Sequence, residues 1–96
     1  MKAVLIVYSK SLNSELIAEL EALGLHSYTR VETATGRGKN SGPHLGTHVW
    51  PDTNSALLVV GEEGETAQVM TLVRRFREKE AKLGVKAFSW DITDVT

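Results

Sequence analysis

Two short runs, residues 3–8 (AVLIVY) and 55–60 (SALLVV), constrain this chain more than anything else in it. Each is a run of aliphatic and β-branched residues of strand length, and each leads into a segment with apolar residues at helical spacing. After the first run, Leu12, Leu16, Ile17, Leu20 and Leu23 share one face, while Glu15, Glu19 and Glu21 take the other. Ser9, Ser11 and Asn13 supply side-chain acceptors where that helix starts, and Gly24 stands where a left-handed cap ends one. After the second run, Thr66, Val69, Val73, Phe76 and Leu83 form the apolar stripe of a helix expected from near Glu65 to about Lys82. Met70 and Leu72 widen it, Arg74/Glu78 and Glu78/Lys82 are spaced as exposed pairs, and Gly84 follows as a second cap. Two alternating segments complete the pattern. Residues 27–35 (SYTRVETAT) read as a half-buried or edge strand, and residues 86–93 (KAFSWDIT) place Phe88, Trp90 and Ile92 on one side.

The order is β-α-β, loop, β-α-β. Two similar halves point to an α+β, ferredoxin-like βαββαβ fold: a four-stranded antiparallel sheet with both helices on one face. The whole chain of 96 residues then forms one domain. An antiparallel sheet with one wet face alternates apolar and polar residues, yet the two leading strands are apolar at every position. The face opposite the helices is therefore expected to be buried as well. Two helices cannot cover it, so another copy of the chain should.

Between the second and third strands lies a stretch without periodicity, residues 32–54 (ETATGRGKNSGPHLGTHVWPDTN). Connections in compact domains run to roughly 4–6 residues, and a much longer one is commonly functional. Its first part, Gly36-Arg37-Gly38-Lys39, joins glycines that permit close backbone approach to two cations suited to phosphate. A P-loop is excluded, because Thr33 stands where its first glycine belongs and no helix follows. His44 and His48, with Asp52 beyond, are candidate nitrogen and oxygen ligands for a divalent metal. Gly42, Pro43 and Gly46 argue against the helix that would align the two histidines, so a metal-free surface pair competes with that reading. Trp50, beside Pro51, is a candidate anchor for a protein partner or for the loop itself.

Composition narrows the function. The formal net charge is −1, and Arg74, Arg75, Arg77, Lys79 and Lys82 are interleaved with Glu78 and Glu80 without an aromatic platform. No nucleic-acid face is expected. Cysteine is absent, which removes disulfides and thiol chemistry. No Ser-His-Asp arrangement or apolar carboxylate pair can be read from the spacing, and Glu62 and Glu63 sit in a polar turn, so an enzyme is not expected. The apolar run at the start is too short for a signal peptide and nothing approaches a membrane span, which reads as cytoplasmic without direct membrane insertion.

The strand order and the Gly36–Lys39 turn together resemble the P-II signal-transduction family and its P-II-like relatives. That resemblance implies a homotrimer with adenine nucleotides (ATP, ADP or AMP) in clefts between subunits. It also implies a long loop that engages a protein target, such as a membrane transporter or an enzyme. Gly36, Arg37, Gly38 and Lys39 match the family's phosphate-contacting turn, Pro51 its proline before the third strand, and Lys86 the region of a nucleotide-binding lysine. His44, His48 and Trp50 fall where a partner would be met. Several features differ. The glycine-rich loop after the second helix is reduced to Leu83-Gly84-Val85-Lys86, and Asn54 and Ser55 stand where a lysine is usual. No basic residue follows the fourth strand, and no tyrosine lies in the loop for uridylylation. A metal-binding trimer, an amino-acid-sensing regulatory domain and a small dimeric barrel enzyme are the competing classes.

Overall fold

The computed structural model describes residues 1–35, 53–79 and 84–96. Strand β1 spans Lys2–Ser9 and leads through one 3-10 turn, Lys10–Leu12, into helix α1, Asn13–Ala22. Strands β2 (Thr29–Ala34) and β3 (Asn54–Gly61), helix α2 (Glu63–Lys79) and strand β4 (Val85–Asp91) follow. The sheet has the order β2-β3-β1-β4, with every neighbouring pair antiparallel. This is the ferredoxin-like arrangement expected from the two repeated halves.

Alternation along the strands divides the sheet into two unlike faces. Val4, Ile6 and Tyr8 of β1, Leu57 and Val59 of β3 and Val85 of β4 pack against Leu16 and Leu20 of α1 and Val69, Leu72, Val73 and Phe76 of α2. That is the core, and the stripe read on α2 supplies much of it. Thr66 sits within the stripe and is buried. Its hydroxyl donates to the carbonyls of Glu62 (3.2 Å) and Glu63 (3.1 Å), which satisfies it inside the helix.

The opposite face carries no helix among the described residues. Register partners lie side by side there: Leu5 between Leu58 and Phe88, Ala3 between Val60 and Trp90, and Val7 between Ala56 and Lys86. Val31 of β2 extends the row from Ala56. Val31, Val60, Phe88 and Trp90 are left 50%, 42%, 49% and 44% exposed. The continuous apolar runs thus feed two faces, one covered by helices and one open.

The end of α1 forms as its glycine suggests. Gly24 adopts φ +82°, its amide donates to the Glu21 carbonyl at 2.9 Å, and the Leu25 amide reaches back to Leu20 at 3.0 Å. This is a Schellman closure, with Leu20 and Leu25 both buried beneath it. A side chain in this left-handed conformation costs about 1–2 kcal/mol. Gly24→Ala is therefore expected to lower stability by about that amount, seen in urea melts as a lower midpoint with an unchanged slope.

Other expectations need correction. Helix α2 begins two residues earlier than read, because the Glu65 carboxylate turns back to accept the Glu62 amide at 3.0 Å. A Cβ on Gly61 would come within 2.8 Å of that carboxylate oxygen, so the glycine makes room for the cap. Ser9, Ser11 and Asn13 do not cap α1. The serine hydroxyls pair with each other at 3.1 Å, and Asn13 accepts from the buried Tyr8 hydroxyl. Gly84 lacks the positive φ of Gly24, and Arg74 makes no ion pair with Glu78. The ion pairs among the described residues are Lys2–Asp91 and Lys79–Glu15, the second joining the two helices. Lys82 and Leu83 lie outside the described residues.

Candidate functional site

The two ends of the sheet offer different chemistry. At one end β2 stops and β3 starts, and the strands are joined there by residues 36–52, which lie outside the described residues. Gly36, Arg37, Gly38, Lys39, His44, His48 and Trp50 all fall in that segment. What the structure describes is the base from which it leaves and to which it returns.

That base is irregular by construction. The β2–β3 register shifts between Val31 and Ala34, as a bulge does where a strand is re-aimed. The Ser55 hydroxyl, fully buried, donates to the Glu32 carbonyl at 2.6 Å and bridges the break. Lys10, just past the end of β1, bonds to both legs: its amide donates to the Thr53 carbonyl at 2.8 Å, and its ammonium to the Thr33 hydroxyl at 3.2 Å. On the other side, the Ser9 amide donates to the Gly84 carbonyl at 2.8 Å. Arg77, one of the helix cations interleaved with glutamates in the sequence, donates to the Val85 carbonyl at 2.9 Å and fixes the start of β4.

Lys86 is the one residue of the predicted site that is described. It lies on the open face of the sheet, in register with Val7, with its ammonium 6.0 Å from the Phe88 ring centroid. It is exposed, and a cation over an aromatic ring is held there by the ring's electrostatic field. Lys10 and Lys86 place two cations at this end of the sheet, with Glu32 of β2 beside them.

The far end is acidic and concave. A cleft of about 80 Å³ opens between residues 24–27 and residues 59–61, with Glu65 at its rim. Its walls come from segments more than 30 positions apart, so no local pattern in the sequence announced it. His26 lines it. Glu62, Glu63 and Glu65 gather nearby, and Lys2 pairs with Asp91 at 3.0 Å across β1 and β4. The hydrogen bond with Asp91 raises the Lys2 ammonium above the usual lysine range, and the same bond lowers the Asp91 carboxyl.

Two sizes decide what the ends can do. Sites for nucleotide-sized ligands occupy roughly 300–1,000 Å³, so this cleft alone is too small. From Asn54 to Gly61 the strand runs about 23 Å at its usual rise, which keeps the cleft and the loop base of one chain apart. Among the described residues no group of three histidine or acidic side chains is placed to hold a metal ion. Among them also, no helix is long and apolar enough to cross a membrane.

The domain is ferredoxin-like, with one apolar sheet face that no described helix covers and a concavity at the end of the sheet away from the loop base. A family model for nitrogen regulatory protein P-II matches residues 1–96. The chain belongs to the P-II family. No curated protein sequence matches it significantly. Among solved structures, a protein of Thermus thermophilus described as PII-like in signalling is 24% identical, with a TM-score of 0.64. That match covers 95% of this chain and 84% of the other. The apo form of CPII, a nitrogen regulatory PII-like protein of Thiomonas intermedia, is 14% identical, with a TM-score of 0.66 and coverage of 95% and 89%. A second CPII structure, bound to ADP, AMP and bicarbonate, is 16% identical, with a TM-score of 0.65 and coverage of 97% and 88%. At these identities the structural likeness establishes the fold.

Proposed function

We propose that this protein is a trimeric P-II-like regulator. It binds an adenine nucleotide in clefts between subunits and passes the occupancy to a protein target through residues 36–54. The observation that carries this reading is the open apolar sheet face, which gives a chain of this family a reason to associate. The split site adds support. The cleft is too small alone and lies about 23 Å of strand from the loop base, and a neighbouring copy can bring the two together. The solved PII-like relative CPII, bound to ADP and AMP, favours an adenine nucleotide as the ligand.

In this reading Gly36 and Gly38 let the backbone approach the phosphates, Arg37 and Lys39 neutralise them, and Lys86 assists from β4. Binding biases the loop among conformations, and a partner that contacts His44, His48 and Trp50 reads the difference. The protein carries out no reaction of its own.

The test is calorimetric titration of wild type and Lys39→Ala with ATP, ADP and AMP, with and without magnesium. An interaction with a charged group is worth roughly 1.5–3 kcal/mol. Lys39→Ala is therefore expected to bind about 10- to 100-fold more weakly. Gly38→Val should do worse, since a β-branched side chain blocks both close approach and positive φ. Undiminished binding in Lys39→Ala would place the site elsewhere.

A further inference from the structure

We infer that Lys10, from the turn after β1, is a further phosphate-binding residue of this protein. The inference rests on the nucleotide reading above and adds a cation that the sequence did not single out. Three observations carry it. First, the residue is fixed at both ends: its amide bonds to Thr53 at 2.8 Å and its ammonium to Thr33 at 3.2 Å. An ammonium already held in place loses less freedom when an anion arrives than a free surface lysine would.

Second, among the described residues its charge has no ion-pair partner. Thr33 offers a neutral hydroxyl, and neither ion pair among the described residues involves Lys10. Glu32, the nearest acid along β2, forms none either, so donors of the Lys10 ammonium remain for a ligand. Third, its position is right for the chemistry. It stands beside the bulge in β2 and at the same end of the sheet as Lys86, while the acidic groups 62, 63 and 65 gather at the other end. Lys10 belongs to the framework of the sheet, so it presents a positive charge whatever the connecting segment does.

The experiment titrates wild type, Lys10→Met, Lys10→Arg and Thr33→Val with ADP and with adenosine, which lacks the phosphates. Lys10→Met keeps the length and packing of the side chain and removes its charge. It is expected to weaken ADP about 10-fold and leave adenosine unchanged. Lys10→Arg keeps ADP affinity within about threefold, and Thr33→Val, which frees the ammonium without removing it, loses about threefold. Equal ADP affinity in Lys10→Met and wild type overturns the assignment. An equal loss for ADP and adenosine also overturns it, because a residue that only shapes the strand ends moves both. If the wild type does not bind ADP at all, the nucleotide reading itself fails, and the assignment with it.

Discussion

Leu58→Asp is expected to convert the protein from the proposed trimer into folded monomers. Leu58 lies in the middle of the open sheet face, between Leu5 and Thr29 in register, with Phe88 one strand further on. In the separate protomer an aspartate there can still reach water, because the residue is only half buried. Between associated sheets the same carboxylate would be enclosed in apolar surface without a partner, at a cost of several kcal/mol. Light scattering should give three times the 10.5 kDa chain mass for wild type and the single chain mass for the variant. Circular dichroism of the variant should keep its helix and strand content. A wild type that scatters as a monomer at micromolar concentration would remove the basis for a shared site.

The helix-covered face of the same sheet gives the opposite result. Val4→Asp is expected to unfold the protomer itself. Val4 is completely buried in the cluster formed with α1 and α2, and among the described residues no buried polar side-chain atom is left without a partner to receive a carboxylate. An uncompensated buried charge costs about 3–5 kcal/mol, a large part of the roughly 5–15 kcal/mol by which a domain is stable. The variant should lose its cooperative melt. Two aspartates on neighbouring strands thus separate folding from assembly, and a folded Val4→Asp would contradict the assignment of the helix-covered face.

The strand and helix order was legible because each element carries its own period: continuous apolar strands, a 3.6-residue stripe on α2, alternation in β4. Gly24 was legible because few devices end a helix as a glycine does. The side taken by Phe88 and Trp90 was not legible, since alternation separates two faces without saying which one the helices cover. The polar residues after β1 misled for a related reason. Ser9, Ser11 and Asn13 suit a helix cap, but bonds among themselves and to Tyr8 compete for the same oxygens.

The candidate site divides along similar lines. Gly36 to Lys39 stood out as a contiguous motif, and Lys86 entered through the family resemblance. Lys10 and the cleft could not be read, because each exists only when distant segments meet: residue 10 with residues 33 and 53, residues 24–27 with residues 59–61.

The measurement that tests the central claim most directly is a calorimetric titration of ADP into wild type and into the Leu58→Asp protomer. If nucleotide is held between subunits, wild type binds ADP and the dispersed protomer, which keeps every residue named at the loop base and in the cleft, does not. Equal affinity in both proteins would contradict the account.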